Sequence, residues 1–477
     1  MVFSSMVFLC IFLPVVFLLH LILPGIRAKN WMLLLASLVF YAYGEPVYVL
    51  LMIASAFVNY LSALLIEKKP SGKKAVMTIN VILNLGVLVL FKYTGFLAES
   101  FNSIFGTAVP VPVIRLPIGI SFFTFQAMSY VIDVYRGVTE PQKNFGKVLL
   151  YISFFPQLIA GPIVKYHDIA QEIENRTQTV DGVMNGIRRF IAGLSKKVLI
   201  SNTVGLVADT LFAADISGLN AAAAWIGAIS YMLQIYFDFS GYTDMARGIG
   251  KMLGVTLPEN FDVPYQALTI RGFWKGWHMT MTRFFTRYLY IPLGGSRRGL
   301  PRTCVNTLVI FLASGLWHGA DWSFVVWGGL HGIAMVADRL LGSRLDRLHP
   351  ALSWALTFGY VNFCWIFFRA GSVREALAMC RAIARCAFGP LAEEFTTSFQ
   401  MPEITWIGRY LEIDMARLAL LMFLLFVVGS MFFCLQETPV ARRKHRMTGR
   451  RGVLAGILLF WAVISLTGVS RFIYSNF

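Results

Sequence analysis

The chain has 477 residues, 57% of them hydrophobic and 14% charged, with a mean hydropathy of +0.65. Soluble domains run at about 45–50% apolar and about 25% charged, so a solvated enzyme or binding module is excluded and a multi-pass membrane protein is indicated. The net charge of +17 would raise nucleic-acid binding in a soluble protein. Here the Lys and Arg residues sit between apolar runs, as the positive-inside bias places them, so lipid and not nucleic acid is the expected surrounding.

The opening MVFSSMVFLC carries no cationic segment, and no small-residue cleavage site precedes the next apolar stretch. Residues 7–24 therefore read as a retained first span. Apolar runs of spanning or near-spanning length follow at 31–43, 46–66, 75–93, 115–134, 197–214, 222–245, 303–318, 322–341, 352–369, 417–436 and 453–470. The basic linkers Ile26-Arg-Ala-Lys29, 67–74 and 441–446 are expected on the cytoplasmic side, and Gly44-Glu-Pro46, without Lys or Arg, outside.

The run at 147–164 breaks this alternation. It is short, contains Pro156 and ends in Gly161-Pro162, and counting it as a crossing would put Arg297 and Arg298 outside. Read as re-entrant, it leaves about twelve spans, with both termini outside and 252–302 cytoplasmic. The expected fold is all-α and polytopic: one membrane domain over 1–477, with N-terminal helices over 1–134. In 370–416, Arg374, Arg381 and Arg385 fall near one helical face and Val373, Leu377 and Cys380 on another, which reads as an extracytoplasmic interfacial helix. The six cysteines (10, 304, 364, 380, 386, 434) show no CxxC pairing, so neither a metal site nor a disulfide framework is indicated.

Residues 258–302 are rich in aromatics and arginine yet too polar to span, which suits the membrane interface. Two readings of Arg271, Lys275, Arg283, Arg287, Arg297 and Arg298 stay open: a grip on the phosphates of an anionic donor, or contact with anionic lipid. The block contains His278 in RGFWKGWH, and His318 follows in SGLWHG at the end of an apolar run. A histidine at membrane depth needs a partner or a polar cavity and counts as a functional-site hypothesis. With a helix starting near Thr303, His318 lies about 22 Å along it at about 1.5 Å per residue, which suggests a shaft reached from the basic face. His331 has small neighbours and reads as structural. Asp238 and Asp244 sit in apolar surroundings, where lining a cavity and bonding helix to helix are equal alternatives.

The pattern WHMTMTRFFTRYLYIPLGGSRRG followed by SGLWHGADWSFVVWGGLHG resembles the membrane-bound O-acyltransferase family, and within it the alginate O-acetylation branch. LNLGVLVLFKYTGF, LPIGISFFTFQAMSYVIDVYRG and YISFFPQLIAGPIVKY agree, so the resemblance covers nearly the whole chain. It implies a catalytic core over 258–341 with His318 as the catalytic residue. His278 would assist as a second catalytic group, orienting the donor or stabilising the oxyanion. Trp274, Trp277, Trp317 and Asp321 are expected with Asp238 and Asp244 along the channel.

The resemblance also implies acetyl-CoA as donor substrate with no bound cofactor, a bacterial inner membrane, an exported polysaccharide as final acceptor, and a periplasmic or surface acetyltransferase as partner. The tail 472–477 resembles an aromatic-Tyr-aromatic ending in which Tyr474 is an acyl relay, although Ser475 and Asn476 depart from the pattern. An aromatic belt anchor is the plainer alternative. Rival functions are a lipid or protein O-acyltransferase and a secondary transporter. The transporter leaves the WHG histidine without a purpose, and the two halves show no matching interrupted segments.

Overall fold

The computed structural model describes residues 1–214, 219–345, 347–389, 415–440, 449–466 and 473, and among these every regular element is helical. Among the described residues, seven helices are long and apolar enough to cross a membrane: Tyr48–Lys68, Pro70–Phe105, Val180–Ala213, Gly299–His318, Trp322–Gly342, Pro350–Arg369 and Leu418–Leu435. The other expected spans form helices that fall short of that measure, such as Gly25–Ala42 and Ile120–Tyr135, with 18 and 16 residues. The chain divides into two compact units, one of Met1–Ser195, Gly241–Glu259 and His445–Phe477, the other of Lys196–Ser240 and Asn260–Lys444.

In the first unit, Ile120–Tyr135 is the core helix, with 14 of its 16 residues buried. Tyr48–Lys68 and Lys73–Leu88 are tied by polar side chains: Asn59 and Asn84 exchange reciprocal 3.1 Å amide bonds, and Asn80 donates to Ser62 Oγ at 3.0 Å. Such interhelical hydrogen bonds hold helices together where lipid supplies no hydrophobic drive. The segment expected to be re-entrant breaks at Phe154 between Phe145–Ser153 and Phe155–Leu158, too short to span. Its turn is anchored by the Phe155 N–H, which donates to Ser37 Oγ at 3.1 Å, and by the Tyr151 hydroxyl, which donates to Val164 O at 2.8 Å.

In the second unit, Gly299–His318 and Trp322–Leu345 form a hairpin turned by residues 319–321. A Cβ added at Gly315 would lie 2.3 Å from Phe324 O and 3.3 Å from Gly328 Cα; one added at Gly328 would lie 2.3 Å from Phe311 O. Only glycine permits so close a crossing. Pro350–Arg369 packs on this hairpin, with Tyr360 donating to Leu330 O at 2.8 Å.

The block 258–302 departs from expectation. Phe261, Tyr265, Phe273, Trp274, Trp277, Met281, Phe284 and Phe285 are buried in the protein, not spread at the headgroups. Two short helices, Ile270–Gly276 and Met279–Phe285, satisfy much of the local backbone. Trp354 donates to Tyr265 O at 2.9 Å and Trp365 to the Tyr265 hydroxyl at 3.0 Å, fixing the loop against Pro350–Arg369.

Replacing Gly315 or Gly328 with alanine forces the hairpin apart and is expected to cost about 1–3 kcal/mol. The thermal midpoint of the detergent-solubilised protein should fall in both variants. Gly329→Ala, whose Cβ would meet only Leu312 Cδ2 at 3.8 Å, should leave it unchanged.

Candidate functional site

His318 is the last residue of its helix, nineteen residues beyond Gly299. At about 1.5 Å per residue this is about 28 Å, farther across than a helix starting at Thr303 would carry it. The ring is 1% exposed. Trp317, Trp327 and Phe368 stand with ring centroids 4.8, 5.1 and 5.1 Å away, all three edge-on. Where a shaft was expected, aromatic side chains from three successive elements pack beside the imidazole.

His278 joins His318 in the second unit, their ring centroids 6.5 Å apart, with Trp317 5.9 Å from His278. His278 has φ +43° and ψ +53°, the left-handed region a non-glycine residue occupies only when held there. The Met279 N–H donates to Asn260 O at 2.9 Å and the Thr280 N–H to Asn260 Oδ1 at 3.1 Å. His278 Nδ1 lies 3.1 Å from the same Oδ1. Gly276 makes the approach possible, because a Cβ there would fall 2.4 Å from Asp262 O. His278 lies outside every spanning helix, and complete burial lowers its pKa to about 3, so the imidazole is neutral.

The expected channel tryptophans have distinct places. Trp274 Nε1 donates to His331 Nδ1 at 3.2 Å, which makes His331 a hydrogen-bonded core residue. Trp277 is fully buried, stacked on Phe273 at 5.5 Å and 4.8 Å from Trp365. Only Trp317 of the three touches both histidine rings.

Of the two alternatives left open for Asp238 and Asp244, the structure shows ion pairing. Asp238 is fully buried and paired with Lys197 at 2.5 Å, so it joins helix to helix. Asp244 belongs to the first unit, where Arg189 bonds it at 2.8 and 3.0 Å while also bonding Glu259. Both are ionic partners of cations, because an isolated carboxylate in such surroundings carries a heavy desolvation cost. Asp321 accepts from the Ser323 N–H at 2.7 Å and caps Trp322–Leu345.

Among the basic candidates, Arg271 is committed to Asp338: its N–H donates to Oδ2 at 2.7 Å and its guanidinium stands 3.6 Å from Oδ1. Lys275, Arg283, Arg297 and Arg298 are exposed, and Arg287 is half-buried, 5.8 Å from the Tyr288 ring. Tyr474 and residues 390–414 of the expected interfacial segment lie outside the described residues; Val373–Ala384 of that segment is a helix. Sequence reasoning passed over Asn260, Trp327 and Phe368. Asn260 lies in the stretch PENFDVPY at 258–265, where nothing marks it apart from its neighbours.

The model of the membrane-bound O-acyltransferase family matches residues 142–379, which contain both histidines. The probable alginate O-acetylase of Pseudomonas aeruginosa is 40% identical over 391 residues, covering 80% of this chain and 75% of that protein. This chain belongs to the membrane-bound O-acyltransferase family. It is an O-acyltransferase and a multi-pass membrane protein. Within the same family comparison, the peptidoglycan O-acetyltransferase of Helicobacter pylori is 34% identical over 524 residues, covering 100% and 98% of the two chains. The teichoic acid D-alanyltransferase of Bacillus subtilis is more distant, 24% identical over 273 residues, covering 53% and 68%.

Removing Asp238 alone strands the Lys197 charge, and breaking such a buried pair costs about 3–5 kcal/mol. Asp238→Leu should therefore unfold at markedly lower temperature. Lys197→Met combined with Asp238→Leu should recover most of the loss, and a single variant as stable as wild type would show that the pair contributes nothing.

Proposed function

We propose that this acyltransferase takes an acetyl group from acetyl-CoA on the cytoplasmic side and passes it across a bacterial inner membrane toward an exported polysaccharide, with His318 as general base. One observation carries the reading: two buried imidazoles, 6.5 Å apart, within the segment that defines the family. A single reacting group set between the rings is within reach of both, which is the geometric requirement for proton transfer.

The step balances without a bound cofactor. A hydroxyl oxygen attacks the thioester carbonyl carbon while its proton passes to His318. The tetrahedral intermediate collapses, the C–S bond breaks, and the departing thiolate recovers the proton from the imidazolium. Ester and free thiol are the products. Neutral His278 assists at the same reacting centre. Exposed Lys275, Arg283, Arg297 and Arg298 supply the cationic surface on which the donor's phosphates are held.

Closure of the aromatic wall fits acyl transfer over hydrolysis. Trp317, Trp327 and Phe368 keep bulk water from the imidazole until a substrate arm parts them. The polysaccharide end of the reading is supported by relatives named for alginate, peptidoglycan and teichoic acid, all cell-envelope or exported polymers. A periplasmic or surface acetyltransferase is the partner that finishes the transfer to the glycan.

His318→Ala should lower acetyl transfer about 10²–10⁴-fold, the range of a lost general base, while the protein inserts and melts as wild type does. Acetyl content of the exported glycan and turnover of acetyl-CoA by the enzyme in proteoliposomes are the readouts. Wild-type turnover would remove His318 from the mechanism. An acylated lipid as the sole product would replace the polysaccharide reading with that of a lipid acyltransferase.

A further inference from the structure

We propose that Asn260 is the positioning residue of His278: its side-chain carbonyl holds the imidazole hydrogen on Nδ1 and thereby leaves Nε2 as the proton-accepting nitrogen. This rests on the reading of His278 as part of the acyl-transfer site.

The hydrogen-bond chemistry allows one assignment. The Thr280 backbone N–H, which can only donate, points at the Asn260 amide at 3.1 Å, and the Thr280 hydroxyl lies 2.9 Å from the same atom. That atom must be the oxygen, since the amide NH₂ would oppose the backbone hydrogen. An amide oxygen only accepts, so His278 Nδ1, 3.1 Å away, must carry the hydrogen of the neutral ring. Asn260 also holds the backbone that follows His278 through its own carbonyl, to which the Met279 N–H donates at 2.9 Å. One residue thus fixes both the left-handed turn at His278 and the tautomer of its side chain.

The consequence for the reaction is specific. A neutral ring with hydrogen on Nδ1 cannot donate from Nε2 to a developing oxyanion. It accepts a hydrogen bond or a proton there, so His278 acts on the acceptor hydroxyl or on the N–H of His318 and does not form an oxyanion hole.

The tautomer is read directly from imidazole ¹⁵N shifts of the full-length protein labelled at histidine in lipid nanodiscs, with His278→Gln assigning the resonance. Wild type should show Nδ1–H, and Asn260→Ala should move His278 to Nε2–H or to a mixture. An Nε2–H wild type, or an Nδ1–H signal unaltered in the alanine variant, overturns the proposal.

Activity supplies an independent readout. Asn260→Asp keeps the accepting oxygen and adds negative charge beside Nδ1, which favours the imidazolium and raises the ring's pKa. The acid limb of the rate profile should move to higher pH, a change that mere support of the loop does not produce; an unmoved limb at the wild-type rate contradicts the assignment. Full activity of His278→Gln would instead remove His278 from the reaction while leaving the tautomer measurement to stand alone.

Discussion

A base that works inside a membrane protein must be kept from charging and from bulk water, yet hold a lone pair ready. On the proposed mechanism, that constraint organises the second unit. Tryptophan and phenylalanine rings edge onto His318, and the neutral His278 is oriented by an amide and not by a carboxylate. A carboxylate partner would favour the imidazolium and raise the pH below which the proton acceptor is lost. Acids of this unit serve elsewhere: Asp238 binds Lys197, Asp338 binds Arg271, and Glu437 binds Lys196 at 2.6 Å.

Backbone contacts set where the two imidazoles sit. The Gly315–Gly328 crossing brings Trp327 of the returning helix beside His318 at the end of the outgoing one. The His278 ring comes instead from a short-helix segment folded into the interior and clamped by residues 260–262. Its position depends on Gly276 admitting the Asp262 carbonyl and on Asn260 holding both backbone and ring. Neither histidine is placed by a long side chain reaching across open space, so the distance between them is fixed by packing.

Much of this was legible in the residues. Hydropathy located the helices, because a run of twenty apolar residues has few alternatives in lipid, and the WHG histidine stood out as a titratable group at the end of such a run. Pro156 and Gly161 marked the break that shortens the helices over 145–158. What stayed hidden depends on partners far apart in sequence. The block 258–302 looked interfacial because its polar residues were visible, whereas Trp354 and Trp365, which hold it inward, lie 89 and 100 residues beyond Tyr265. Asp238 and Asp244 looked alike as isolated acids, and their ion pairs with Lys197 and Arg189 had no mark in the local sequence. Asn260 gave no signal because an amide eighteen residues before a histidine has no periodicity to betray it.

The central claim is that the two imidazoles meet at the acyl carbon. It is tested most directly by a cryo-electron microscopy structure with a non-reactive thioether analogue of acetyl-CoA. The account predicts an acyl-mimicking group between the rings, within hydrogen-bond reach of His318, with Trp317 or Phe368 displaced. An analogue bound with that group remote from both histidines, and the aromatic wall around His318 unmoved, would contradict it.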